Sequence, residues 1–82
     1  MSEKTINQVV KILEDLSQDT TIPKNVKLKL QDIISTLNEK SDLSIKVNKV
    51  LNNLDEIADD TNIEQYVRTQ IWSAVSLLEK IA

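Results

Sequence analysis

Apolar residues return along this chain with the period of a helix, four times over. They fall at Ile6, Val9, Val10, Leu13 and Leu16, and then at Val26, Leu30, Ile33, Ile34 and Leu37. A third set is Val47, Val50, Leu51, Leu54, Ile57 and Ala58, and a fourth is Ile63, Val67, Ile71, Ala74, Val75 and Leu78. Spacing of i, i+3, i+4, i+7 puts each set on one face of a helix, and no stretch alternates as a half-buried strand does.

The polar residues between these sets read as starts and stops. Thr5 followed by Gln8 predicts a capping box at the head of the first helix. Asp19-Thr20-Thr21-Ile22-Pro23 predicts a turn, with Pro23 at the first position of the second helix, where its missing N–H costs nothing. Asn38 to Ser41 ends the second helix, and Ser41 or Asp42 caps the third. Asp59-Asp60-Thr61-Asn62-Ile63-Glu64 is the second turn. Thr61 with Glu64 predicts a capping box there, and its loss would cost about 1 kcal/mol.

The pattern also repeats. At an offset of 41 residues, Asn7 matches Asn48, Val9 matches Val50, Leu13 matches Leu54, Asp19-Thr20 matches Asp60-Thr61, and Ile22 matches Ile63. Val26 matches Val67, Ser35 matches Ser76, and Leu37 matches Leu78. Turn residues match as well as apolar ones, which points to duplication of one helix–turn–helix unit. The same turn would then be built by two devices, Pro23 in one half and Thr61 with Glu64 in the other.

Helices of roughly 14–18 residues are about 21–27 Å long, and connections of a few residues make successive helices antiparallel neighbours. Two hairpins with one apolar face each must bury those faces against each other. The predicted fold is therefore all-α, an antiparallel four-helix bundle made of two duplicated helical hairpins. It is a single domain over residues 1–82, with repeat one at about 5–41 and repeat two at about 42–82.

Composition narrows the chemistry. The chain has no Gly, Cys or His, one Pro and two aromatic residues, Tyr66 and Trp72. Without Cys there is no thiolate nucleophile or zinc ribbon, and without His no side chain titrates near neutrality at its ordinary pKa. Without Gly there is neither a phosphate loop nor a dinucleotide fingerprint. A Ser–Lys dyad needs a buried Lys, and no Lys falls on an apolar stripe. No catalytic, cofactor-binding or metal-binding residue is assigned, and the chain is expected to be neither an enzyme nor a binder of small-molecule substrates.

Ten basic against thirteen acidic residues give a net charge of −3, which speaks against non-specific phosphate binding. Apolar runs never exceed two residues and the N-terminus has no signal-like core, so a cytoplasmic protein without a membrane span is expected.

Two stretches carry a resemblance. Asp19-Thr20-Thr21-Ile22-Pro23-Lys24-Asn25-Val26-Lys27 and Val67-Arg68-Thr69-Gln70-Ile71-Trp72-Ser73-Ala74-Val75-Ser76-Leu77-Leu78-Glu79 resemble an uncharacterised family of small archaeal helical proteins, the one numbered one hundred and forty-seven in the UPF series. The likeness covers nearly the whole chain. It departs at Glu64, where the family often has a second Pro. The resemblance implies an all-helical bundle, an archaeal source and no established activity, so there are no family site residues to carry over.

Residues left outside the four stripes are the remaining candidates. Glu14, Asp15, Asp19, Asp55, Glu56, Asp59 and Asp60 gather at the helix ends, but they lack the alternating ligands and Gly of a calcium loop and read as a solvated face. Lys24, Lys27 and Lys29, with Lys46 and Lys49, could contact RNA, although no aromatic residues interleave with them. Leu28 lies nearly opposite its helix's apolar stripe, as does Ile45. Trp72 lies roughly 120° from the centre of its own stripe, near Arg68. Trp and Arg are frequent interface anchors, while a lone exposed apolar residue needs no explanation. Trp72, Arg68, Leu28 and Ile45 are therefore the candidate interface. The leading expectation is a protein-interaction module that self-associates or joins a larger assembly. The alternative is a ribosome- or RNA-associated factor.

Overall fold

Each of the four amphipathic stretches folds as one helix in a computed structural model that describes residues 2–82. The helices are α1 (Ser2–Ser17), α2 (Lys24–Leu37), α3 (Leu43–Ala58) and α4 (Gln65–Glu79), and no strand occurs among the described residues. Every helix touches two others. The backbones approach closely from α1 to α2, α2 to α3, α3 to α4 and α4 back to α1, while those of the pairs α1/α3 and α2/α4 stay apart. The result is a closed ring of helices, 32 × 19 × 18 Å.

The interior of that ring is one aliphatic cluster. Val9, Leu13, Val26, Leu30, Val47, Val50, Leu54, Val67, Ile71, Ala74 and Leu78 are all essentially inaccessible to water. Burying each of the larger ones contributes roughly 1.5–3 kcal/mol. Ile6, Val10, Ile34, Leu51 and Val75, expected on the stripes, are only partly buried and pack around the cluster's edge. Burial corresponds across the offset of 41: Leu13 with Leu54, Val26 with Val67, Leu30 with Ile71, and Leu37 with Leu78 are buried alike. Two polar side chains are also buried, and each is satisfied within its own helix. The Ser17 hydroxyl donates to the Glu14 carbonyl at 2.8 Å, and the Thr36 hydroxyl donates to the Asp32 carbonyl at 3.1 Å.

The helix ends depart from the expected caps in three places. α1 is already helical at Ser2, so Thr5 and Gln8 lie inside it and form no capping box. Pro23 is the N-cap of α2 rather than its first helical residue. Its ψ of 147° is extended, and its carbonyl accepts from the Lys27 N–H at 3.0 Å. Glu64 occupies the same station before α4, with ψ of 158°, and makes no side-chain cap bond, so Thr61 caps nothing. Asp42, one of the two candidates, does cap α3, accepting from the Ile45 N–H at 3.3 Å.

The two turns share a device that sequence spacing did not single out. Asp19 accepts from the Thr21 N–H at 2.8 Å, and Asp60 accepts from the Asn62 N–H at 2.8 Å. Each is a local side-chain-to-backbone bond two residues forward, which bends the chain ahead of the extended cap. The Asp, rather than the Thr beside it, closes each turn. Thr61→Ala is therefore expected to stay within about 0.5 kcal/mol of wild type in chemical denaturation, whereas Asp60→Ala should cost about 0.5–1.5 kcal/mol. The reverse ranking would contradict this assignment.

Candidate functional site

Trp72 projects from the middle of α4 and is 51% exposed. Leu28 on α2 is 56% exposed, and Ile45 in the first turn of α3 is 69% exposed. All three therefore stand outside the core, where their helical angles put them. They lie on three helices, and the backbones of α2 and α4 stay apart. Leu28 instead borders a shallow depression at the first turn, together with Ile22, Lys24 and Lys27.

Arg68, one turn before Trp72, is tied into the fold. Its Nε donates to the Ala58 carbonyl at 2.8 Å and its Nη2 to the Asp60 carbonyl at 2.9 Å, while Nη1 reaches Gln65 Oε1 at 3.2 Å. The cation sits on carbonyls at the C-terminal end of α3, where the helix dipole favours positive charge. Arg68 thus joins α3 to α4, and most of its donors are used inside the molecule.

Lys46 makes a similar connection at the other end. Its Nζ donates to the Leu37 carbonyl at 3.2 Å and to the Glu39 carbonyl at 2.9 Å, closing the end of α2. One lysine of the expected basic surface is thereby engaged by the fold.

Two of the acidic residues at the turns, Asp19 and Asp60, bond to the local backbone. Among the described residues, no three Asp or Glu side chains come together in a way that could hold a metal ion. Asp19 accepts from the Thr21 hydroxyl at 2.6 Å as well as from its N–H. Those two bonds, the hydroxyl first, hold its carboxyl below the usual carboxylate range. Among the described residues, no helix is long and apolar enough to cross a membrane.

Tyr66, which the sequence reading left aside, is 45% exposed on the flank of α4 that faces α1. The signal was available. Tyr66 falls off the Val67–Ile71–Ala74–Leu78 stripe by roughly the angle that marks Trp72.

The family model described as "Uncharacterised protein family (UPF0147)" matches residues 1–81. The chain belongs to the UPF0147 family. A UPF0147 protein of Thermoplasma volcanium is 39% identical, over 100% of this chain and 93% of the relative. One from Archaeoglobus fulgidus is 30% identical over 100% of this chain and 94% of the relative. The crystal structure of a protein from UPF0147 of Thermoplasma acidophilum has a TM-score of 0.92 to this structure, at 36% identity. That match covers 98% of this chain and 95% of the other. The expected family, its archaeal membership and its all-helical fold are thus found. UPF0147 is a family of unknown function, so any functional reading rests on the residues themselves.

Proposed function

We propose that the chain is a non-catalytic protein-interaction module of the cytoplasm, working as a homodimer or as a small subunit of a larger assembly. Its frame in this reading is an antiparallel four-helix bundle built from two copies of one helical hairpin. Matched burial and matched Asp turns at an offset of 41 support the duplication. The C-terminal half of α1 and the first residues of α4 line one groove, which supports the antiparallel arrangement.

The observation that carries the functional reading is Trp72. A 51% exposed indole is held on a rigid helix, in a chain whose other aromatic residue is Tyr66. Indole offers a large apolar area and one N–H donor at little entropic cost, the usual make-up of an interface anchor. Arg68, one turn before the indole, joins the end of α3 to the start of α4 and completes this candidate surface.

Trp72→Ala is the test. Sedimentation of the wild type over a wide concentration range, with affinity purification from the native host, should reveal either a dimer or a reproducible partner. Trp72→Ala should weaken that association by about tenfold or more, as expected for an anchor worth about 2 kcal/mol. Its helical circular dichroism should be unchanged. A wild type that stays monomeric and copurifies with the same proteins as Trp72→Ala would refute the reading.

A further inference from the structure

The two halves differ in one groove. The α2/α3 groove, with a volume of about 120 Å³, is lined by Lys29, Asp32, Asn53 and Glu56. The α1/α4 groove, of about 240 Å³, is lined by Ile12, Asp15, Leu16, Asp19, Tyr66 and Gln70. At the offset of 41, Asp15 corresponds to Glu56 and Gln70 to Lys29. In the α2/α3 groove, Glu56 and Asp32 therefore share the groove with one ammonium, that of Lys29. In the α1/α4 groove, the equivalent carboxylate is kept but the cation is replaced by a neutral amide. Ile12 stands where the other half has Asn53, and Tyr66 stands where it has Asn25. The second groove has therefore lost its own cation and gained an apolar wall and an aromatic ring.

We propose that the α1/α4 groove receives an arginine side chain from a basic segment of a partner protein. The methylene stem lies along Ile12 and Leu16, the guanidinium plane stacks on Tyr66, and the charge meets Asp15 and Asp19. Guanidinium suits this lining better than ammonium, because it stacks on an aromatic face and pairs with carboxylates through a planar fork. Asp19 is preorganised. Both Thr21 donors bind its Oδ1, which fixes the carboxylate in place. The volume is below the roughly 300–1,000 Å³ typical of small-molecule pockets and suits a single side chain. Paired acids at the rim repel phosphate, so the occupant is a basic protein rather than a nucleic acid, and the net charge of −3 favours its approach. This site is separate from the Trp72 surface, since Tyr66 and Trp72 are turned roughly 120° apart around α4.

The experiment is a titration of the isotope-labelled full chain with a blocked Gly-Arg-Gly peptide, followed by backbone amide shifts. The same peptide with citrulline in place of arginine is the neutral control. Shifts should be confined to Ile12, Asp15, Leu16, Tyr66, Gln70 and their neighbours, and should be absent with citrulline. Asp15→Asn should weaken binding by about tenfold. Gln70→Lys rebuilds the arrangement that the other half already carries at Lys29, so it should abolish binding while leaving amide positions elsewhere unchanged. Trp72→Ala should bind the peptide as the wild type does, which keeps failure here distinct from failure of the interaction reading above. No shift up to about 10 mM peptide, equal shifts with citrulline, or undiminished binding by Gln70→Lys would each overturn the proposal.

Discussion

Leu13→Ala and Leu54→Ala are each expected to lower the free energy of unfolding by about 2–5 kcal/mol. Both leucines are fully buried at corresponding stations, in the C-terminal halves of α1 and of α3. Truncation removes apolar contacts and leaves a cavity that the ring can only partly fill, because helices held on two sides cannot slide inward freely. A domain of 82 residues has a total stability of about 4–12 kcal/mol, on the order of 0.05–0.15 kcal/mol per residue. Either change should therefore remove a large share of it. Because the two positions have matched burial, their costs should agree within about 1 kcal/mol. Urea denaturation followed by far-ultraviolet circular dichroism measures both. A cost of a few tenths at either position would mean that the interior is not packed as described.

Arg68→Ala carries the second large effect, about 1.5–3 kcal/mol, the range for hydrogen bonds from a charged group. The side chain is half-buried and bridges two carbonyls on either side of the end of α3. Removing it leaves the Ala58 carbonyl without this donor at the negative end of a helix dipole. Arg68→Lys should recover only part of the loss, because a single ammonium on a flexible stem does not reproduce the planar fork. Amide hydrogen exchange over residues 59–63 should accelerate in Arg68→Ala more than exchange in the turn at 18–22. Equal acceleration in both turns, or a stability change below a few tenths, would remove Arg68 from this role.

Much of the fold is legible in the sequence, because a helix that buries one face repeats its apolar residues every three or four positions. All four helices and nearly every buried residue follow from that period alone. What the period does not encode is the detail at the ends. Whether Pro23 is the cap or the first helical residue depends on a single ψ angle. Thr61 and Asp60 are equally plausible capping residues from composition, and only geometry separates them. Arg68 lies near Trp72 on a helical wheel, which gives direction but no reach. Its guanidinium bends back over the turn to carbonyls eight and ten residues earlier. The exposure of Trp72, Leu28 and Ile45 follows from their angles. Which of the three helices are neighbours follows only from the order of helices around the ring. The α1/α4 groove was beyond sequence reasoning for the same reason, since it draws on positions more than fifty residues apart.

The interior contains no aromatic ring, and both aromatic residues of the chain stand at the surface. Light absorbed and re-emitted by this protein therefore comes from its outside. The lone indole is already half-wetted in the native state, so unravelling the chain changes its surroundings less than it would those of a buried ring. Trp72 emission is consequently a poor thermometer of melting and a direct gauge of whatever settles against α4.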